Sequence, residues 1–486
     1  MRIDEYSRLD ATGLAGCIRG REVAAEEVYA LARTAMLALD AELAFMAGEL
    51  PEEARRNLDA LPPDAPFLGV PTLVKDIGPK LAGAPQEMGS RLASGFVAGY
   101  DSEFIKRHRK AGLVFMGRSA TPEMGSAFTT EPKVGRPTRN PWHTGHSTGG
   151  SSGGAASLVA AGVAPIALAG DSAGSIRVPA HCCGLFGLKP TRAATPSGPD
   201  SAEGASGSTV AHVLSRSVRD SAAALDATFG GDPGCRYVAP PPRAPFVQAA
   251  ARDPGRLRIA LSTASPFGGS VSREVIVAAV EAAAFCETLG HHVELADPPL
   301  DGDQLVDVFT TIWASNMSFG AHSLGAHLGR EAGPDNLESS NWALVRHGAT
   351  LSAERLLAAL SAVNGISRAM GSFMEKFDVL LTPSFSQTAP PLGSIQTDRS
   401  DSTAETYTRE SLNWSPFTSQ FNLTGQPAMS VPFKIGAGGL PIGIHCSAAF
   451  GADELLFSLA GQFERSRPWD GWRPPIHAST LFGGTA

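Results

Sequence analysis

The residues best suited to chemistry lie in one stretch, 146–190, where two glycine-rich turns each carry serines. The first reads Gly149-Gly150-Ser151-Ser152-Gly153-Gly154 and the second Gly170-Asp171-Ser172-Ala173-Gly174-Ser175, with an Ala-rich apolar segment between them. Glycine lacks a Cβ, so it adopts φ > 0 cheaply and lets the backbone approach a ligand closely. Serines among such glycines lie on sharp turns with exposed hydroxyls, and the neighbouring N–H groups stay free to donate. That combination suits a nucleophile with an oxyanion hole. A flexible Gly/Ser linker would not alternate with apolar segments of helix length.

Such a cluster needs rigid elements behind it. Upstream, Val28, Leu31, Ala32, Ala35 and Leu39 recur at helical spacing with Glu26 and Glu27 on the other side. This predicts an amphipathic helix over 21–39, packed on the outside of the domain. Residues 67–74 read as a strand that leads into Lys75-Asp76. Lysine is rarely fully buried, so a surface strand end is its ordinary place, and Lys75 at the end of an apolar strand stands out. A helix is predicted at 102–111 and a strand at 112–117, after which Thr121-Pro122-Glu123-Met124-Gly125 turns the chain back toward the glycine centre. Beyond Pro190 a loop runs to about 207, followed by a helix over 217–229 and a Pro-rich connector at 240–245, within a surface excursion spanning about 232–254. Strand 256–262, helix 272–290 and strand 291–295 form a βαβ unit, which predicts a parallel pair. Residues 303–377 read as mainly helical, with Trp313, Asn316, Met317 and Phe319 as pocket candidates. A strand at 377–383, two short strands over 421–433 and 439–446, and a helix over 452–465 complete the chain. No internal repeat is present. Strands scattered among helices predict one α/β domain with a mixed sheet.

Further stretches complete a pattern: Gly69-Val70-Pro71-Thr72-Leu73-Val74-Lys75-Asp76, Gly174-Ser175-Ile176-Arg177-Val178-Pro179-Ala180, Cys183-Gly184-Leu185-Phe186-Gly187-Leu188-Lys189-Pro190, Phe421-Asn422-Leu423-Thr424-Gly425-Gln426-Pro427 and Gly439-Leu440-Pro441-Ile442-Gly443. Together with 149–154 they resemble the amidase signature family of hydrolases over nearly the whole chain. The resemblance implies an α/β fold, a single domain built on a large mixed β-sheet flanked by helices on both faces. The expected division is an N-terminal helical segment (1–62) packed on a catalytic domain (63–486). It also implies a triad of Lys75, Ser151 in a cis peptide, and Ser175 as the nucleophile. The backbone N–H groups of Ser172, Ala173, Gly174 and Ser175 would form the oxyanion hole. The family usually has glycine where this chain has Ala173; the donor is backbone, so the added methyl narrows the acyl side. Asp171 and Arg177 flank the turn and are expected to hold its shape. The similarity is closest to hydrolases of cyclic nylon-oligomer amides, aryl acylamidases and urethanases, on the strength of Pro79-Lys80-Leu81-Ala82-Gly83, Thr130-Glu131-Pro132-Lys133, His146-Ser147-Thr148-Gly149-Gly150 and Cys182-Cys183-Gly184-Leu185-Phe186.

The chemistry also stands on general grounds. Serine is a weak nucleophile until a base takes its proton, and lysine is a base only when neutral, which burial promotes. Lowering a lysine from its reference value near 10.4 to about 7 costs roughly 4 to 5 kcal/mol, within reach of a folded site. Ser151 would relay the proton from Ser175 to Lys75, with no metal or cofactor. Two other readings stay open. Gly170-Asp171-Ser172-Ala173-Gly174 fits G-x-S-x-G, which would make Ser172 the nucleophile of an α/β-hydrolase-type esterase, although the upstream His-Gly-Gly-Gly type of oxyanion motif is absent. A glutamine-dependent amidotransferase subunit shares the core motifs, although no partner-binding extension is evident. Segments 121–131, 310–319 and 383–392, taken as loops, are rich in Thr, Met, Phe, Trp and Pro and poor in charge. They suit a neutral amide, anilide or carbamate better than glutamine, with Met124, Gly125, Trp313 and Asn316 as substrate contacts.

The 486 residues are 43% hydrophobic and 18% charged, ample for a globular core. A formal charge of −8 with no Lys/Arg-rich run argues against nucleic acid as a partner. The N-terminus lacks a signal-peptide pattern, and the longest apolar run, 155–169, is broken by Gly162 and Pro165. The expectation is a cytoplasmic monomer or homodimer without a membrane partner, acting on a small molecule. Six cysteines without a CxxC pair make no disulfide framework and should be reduced and mostly buried. Neither His181-Cys182-Cys183 nor the pair His143 and His146 has the further ligands at the spacing that zinc requires.

Overall fold

The computed structural model describes residues 1–50, 58 and 61–481. Thirteen strands are present among the described residues, most of them short runs rich in apolar side chains: β1 (Met46–Glu49), β2 (Pro71–Lys75), β3 (Val114–Ser119), β4 (Arg139–Asn140), β5 (His143–Ser147), β6 (Ile166–Asp171), β7 (Phe186–Lys189), β8 (Val210–Ser215), β9 (Arg258–Leu261), β10 (His292–Leu295), β11 (Val379–Pro383), β12 (Ala428–Ile435) and β13 (Pro441–Ala448), the polar pair β4 and β5 being the exception. Eleven of them make one sheet in the order β1-β3-β2-β6-β8-β7-β12-β13-β11-β9-β10, and β4 pairs with β5. The sheet is mixed. β2 runs parallel to β3 and to β6, β6 is antiparallel to β8, and β9 is parallel to both β10 and β11. The βαβ unit read from the sequence is therefore present, with helix Arg273–Thr288 between β9 and β10.

Residues two apart on a strand share a face, and this alternation divides the core. Ile259, Leu261, Val379 and Leu381 pack on one side with residues of helices Val218–Thr228, Arg273–Thr288 and Asp453–Ser466. Ala260 and Leu380, lying between them in sequence, pack on the other side with Met370, Phe373 and Met374 of helix Ala353–Met374. Near β2 and β6, Val74 and Leu168 meet Ala155, Leu158 and Val159 of helix Gly153–Ala160. Helices thus cover both faces of a large mixed sheet.

The N-terminal amphipathic helix is Ala25–Leu43, with Val28, Ala32, Ala35, Met36, Leu39 and Leu43 buried. It starts later than its apolar spacing implies because Arg21 sits at φ 60 in a turn before it. Segment 1–62 is not purely helical: β1 follows that helix and pairs antiparallel with β3 as an edge of the sheet. Residues 51–57, 59 and 60 of the segment lie outside those described.

Three other expectations are corrected. Phe421 belongs not to a strand but to helix Gln420–Thr424, which Gly425 closes at φ 77 before β12 begins at Ala428. Segment 310–319 is no loop, because it lies inside helix Gly302–Leu328. The excursion at 232–254 returns to the core, where helix Phe246–Ala250 sets Phe246 against Phe229 and Phe457 with ring centroids 5.6 and 5.5 Å apart. The cysteines are all free, with Cys182, Cys183, Cys286 and Cys446 buried. Among the described residues, no helix is long and apolar enough to cross a membrane.

Candidate active site

Strands β2 and β6 are parallel neighbours, so their carboxyl ends open at the same edge of the sheet, where loops of α/β proteins build binding sites. Lys75 is the last residue of β2 and Asp171 the last of β6. The first glycine turn leads into helix Gly153–Ala160 and the second into helix Arg177–Cys183. These elements bring Lys75, Ser151 and Ser175 to the wall of one cavity of about 470 Å³.

Lys75 is 3% exposed, and its Nζ donates to Ser151 Oγ at 2.7 Å and to Gly170 O at 3.3 Å. Burial draws the Lys75 ammonium down to about 7, against the opposing charge of Asp171. The Gly150–Ser151 peptide bond is cis. Gly150 is required by close approach, since a Cβ there would lie 2.5 Å from both Ala127 O and Thr129 O. Thr121 Oγ1 donates to Ser151 O at 3.0 Å and fixes the turn from below. Ser175 is 6% exposed, and among the described residues its hydroxyl has no protein hydrogen-bond partner.

The second turn is held by a fully buried ion pair. Arg177 donates through Nε and a terminal nitrogen to the two Asp171 oxygens at 3.0 and 2.9 Å. Asp171 also accepts from Gly174 N at 2.7 Å, Ile176 N at 3.1 Å and Asn422 Nδ2 at 2.9 Å. Burial pushes the Asp171 carboxyl up, but the charge and hydrogen bonds of Arg177, with Asn422 and Ile176, outweigh it and hold the group well below the ordinary carboxylate range. Asp171 and Arg177 accordingly shape the turn, as their place in the sequence suggested. This network corrects one expected oxyanion donor: the Gly174 N–H is already engaged by Asp171 and points away from that task. Gly174 keeps a structural role, at φ 139 with a would-be Cβ 2.4 Å from Thr418 Oγ1. Among the described residues, the N–H groups of Ser172, Ala173 and Ser175 have no acceptor in the protein, and all three residues line the cavity.

The four substrate-contact candidates, Met124, Gly125, Trp313 and Asn316, all line the same cavity. Met124 and Gly125 sit in a turn at φ 51 and φ 67 next to Ser151. The adjacent Glu123, which sequence reasoning passed over, anchors that turn: its carboxyl accepts from Ser90 Oγ at 2.8 Å, Glu338 N at 2.6 Å and Asn341 Nδ2 at 2.8 Å. Burial raises Glu123 to about 7 against these donors. Trp313, Asn316, Met317, Gly320, Ala321 and Leu324 form one stripe of helix Gly302–Leu328 at three- and four-residue spacing. That periodicity was available in the sequence and would have replaced Phe319, which is 76% exposed and does not line the cavity, with Gly320, Ala321 and Leu324. Ile77, Met88, Thr209 and Ala211 also line the cavity, and no motif marks them. Segment 383–392 does not reach it, because Phe385 is buried against Phe128, His181 and Trp414.

The esterase reading of Ser172 is not supported by its surroundings. Ser172 Oγ pairs with Thr209 Oγ1 at 2.6 Å, and among the described residues no histidine lines the cavity. Among the described residues no three His, Cys, Asp or Glu side chains gather as metal ligands, and His143 and His146 meet edge-on with ring centroids 4.3 Å apart.

Comparison with known proteins now places the chain. The profile of the amidase family matches residues 27–457, so the protein belongs to the amidases, the family whose signature stretches the sequence carries. Over 477 residues it is 34% identical to the 6-aminohexanoate-cyclic-dimer hydrolase of Paenarthrobacter ureafaciens, covering 96% of both chains. A solved structure of 6-aminohexanoate cyclic dimer hydrolase complexed with substrate superposes with a TM-score of 0.92 at 33% identity, over 97% of this chain and 99% of that one. A bacterial aryl acylamidase of the same family gives 0.85 at 25% identity, over 95% and 96%. The protein is a hydrolase of amide C–N bonds.

Proposed function

We propose that this amidase works through an acyl-enzyme on Ser175, with Ser151 as proton relay and Lys75 as base, and that its substrates are neutral amides. The observation that carries this reading is the 2.7 Å contact of a buried Lys75 Nζ with Ser151 Oγ, in the wall of a cavity that Ser175 also lines. Neutral Lys75 takes the Ser151 hydroxyl proton as Ser151 takes that of Ser175, whose oxygen attacks the amide carbon. The developing oxyanion accepts from the N–H groups of Ser172, Ala173 and Ser175. The proton then returns through Ser151 to the leaving nitrogen, the C–N bond breaks, and water releases the acyl group by the same relay.

Two things favour a neutral substrate: the relatives act on a cyclic amide dimer and on aryl amides by name, and among the described residues Lys75 is the sole ionisable one lining the cavity. Desolvating a charged substrate there without a partner would be costly. A neutral carbamate meets the same requirement: if its amine leaves, Ser175 holds a carbonate ester that water resolves to alcohol and carbon dioxide, and if its alcohol leaves, Ser175 holds a carbamoyl ester that water resolves to amine and carbon dioxide.

Fluorophosphonate labelling with peptide mapping should place the adduct on Ser175; an adduct on Ser172 overturns the assignment. Lys75→Ala and Lys75→Arg should each lower kcat/KM by about 10³-fold or more, since neither side chain can act as a base at neutral pH. In the wild type kcat/KM should rise with pH through about 7 as Lys75 loses its proton. A Lys75→Arg enzyme with near-normal turnover would reduce this lysine to a structural role.

A further inference from the structure

A second cavity, of about 240 Å³, lies where the two ends of the chain meet, and it shares no lining residue with the catalytic one. Arg8, Arg216 and Arg473 line it, together with Trp142, Trp469 and Trp472. Among the described residues, Arg216 donates only to the carbonyls of Leu9, Val159 and Ala164. Arg473 uses a single terminal nitrogen, Nη1, which donates to Asp470 O and to Trp472 O, the latter at 2.8 Å. Its Nε and Nη2 have no protein partner among the described residues and are not among the buried unpartnered atoms, so they stay open to an incoming group. Like charges converge here. Burial lowers Arg216 from the ordinary guanidinium value and Arg473 pushes it the same way; burial also lowers Arg473, with Asp470 offsetting part of the shift and Arg8 adding to it. The other carboxyls lining the cavity are engaged elsewhere, Asp10 by Arg219 and Glu464 by Val218 N. Trp142 Nε1 donates to Cys183 O at 2.9 Å and Trp469 Nε1 to Arg216 O at 2.8 Å, so both N–H groups are spent on the backbone and the rings offer apolar surface. Trp142 and Trp472 meet edge-on with ring centroids 6.5 Å apart.

We propose that this cavity is a binding site for a small aromatic carboxylate, separate from the catalytic one. A planar carboxylate accepts two parallel N–H bonds from a guanidinium, and the free Nε and Nη2 of Arg473 make that side-on fork. The ligand's charge offsets the convergence of Arg8, Arg216 and Arg473, and its ring packs on the indoles. Size narrows the class further. A volume of about 240 Å³ lies below the roughly 300 to 1,000 Å³ of sites for drug-sized ligands and suits one ring with its carboxylate. A bare anion would leave the indoles uncovered, and a neutral ring would leave the fork unpaired.

The test titrates benzoate calorimetrically into the full-length protein at pH 7 and low salt, with benzyl alcohol as the neutral control and sulfate as the control without a ring. Benzoate should bind one to one with a Kd of about 0.1 to 1 mM, and each control at least about tenfold more weakly. Arg473→Gln should weaken benzoate by about 10- to 100-fold, and Trp472→Leu by about 3- to 10-fold. Neither residue lines the catalytic cavity, so weakening by these variants places the ligand here and not beside Ser175. Thermal melting checks the fold, and if Trp472→Leu melts lower than wild type, Arg473→Gln decides alone. No saturable benzoate binding, or unchanged affinity in a variant that melts as wild type does, overturns the proposal. Sulfate binding as tightly as benzoate overturns it too, as an adventitious ion only.

Discussion

At the scale of single residues, Lys75 carries the site's main electrostatic cost. Placed at the end of β2 and 3% exposed, it is drawn down to about 7 by burial, from an ordinary 10.5. Between those two values the unfolded chain holds a proton that the native protein lacks, so this group makes stability rise as pH climbs through that window. Below about 7 its full penalty is present. Lys75→Met should therefore abolish turnover and yet stabilise the fold at pH 6 to 7 by up to about 4 to 5 kcal/mol, with the gain shrinking toward pH 10. Urea unfolding of wild type and variant at those pH values measures it. A variant that is less stable at pH 6 would mean that Lys75 is held by compensating contacts rather than by burial. The lysine was legible as unusual from its place after an apolar strand, and the family resemblance supplied its role. Its contact with Ser151 depends on β2 and β6 being neighbours, a long-range pairing that local residue patterns do not specify.

At the scale of elements, the turn between β6 and helix Arg177–Cys183 is shaped by charge. Asp171 gathers Arg177, Asn422 and two backbone N–H groups with no exposure to solvent. Removing one partner of such a pair leaves an uncompensated buried charge. Asp171→Asn should cost about 3 to 5 kcal/mol and lower activity with it, measurable as a drop in the urea midpoint at pH 7. Because the carboxyl titrates below the usual range, wild type should keep this contribution until strongly acidic pH. A variant with unchanged stability would show the network to be redundant. The same network explains the misread at Phe421. Asn422 must reach Asp171, and a helical turn closed by Gly425 delivers its side chain there. Apolar content around Phe421 and Leu423 reads equally well as a strand, because short apolar runs do not separate the two periods. Segment 383–392 misled for a related reason: Phe385 is aromatic in order to pack in the core, and composition alone cannot tell a core aromatic from a pocket one.

At the scale of the whole molecule, the N-terminal segment is joined to the catalytic core through ionisable groups that work against each other. Asp220 caps helix Ala11–Arg19, accepting from Ala11 N at 2.7 Å and Thr12 N at 2.9 Å. Asp10 pairs with Arg219, and Glu464 of the C-terminal helix accepts from Val218 N at 3.1 Å. Burial, with the neighbouring charges of Asp10 and Asp220, raises Glu464 to about 7, and burial with Asp10 raises Asp220 to about 6. The nearby Arg219 offsets only part of this for Glu464. A carboxyl raised in the native state keeps its proton there between about 4.5 and 7, where the unfolded chain has lost it. Its contribution to stability is therefore most favourable below that window and falls as pH rises through it. Glu464→Gln keeps the acceptor for Val218 and removes the charge. It should stabilise the protein by about 2 to 3 kcal/mol at pH 8 and by under about 1 kcal/mol at pH 5, read as the difference between variant and wild-type unfolding free energies. Equal gains at both pH values would assign the effect to packing, and a loss at pH 8 would show that the carboxylate is paired well enough to hold the two ends of the chain together.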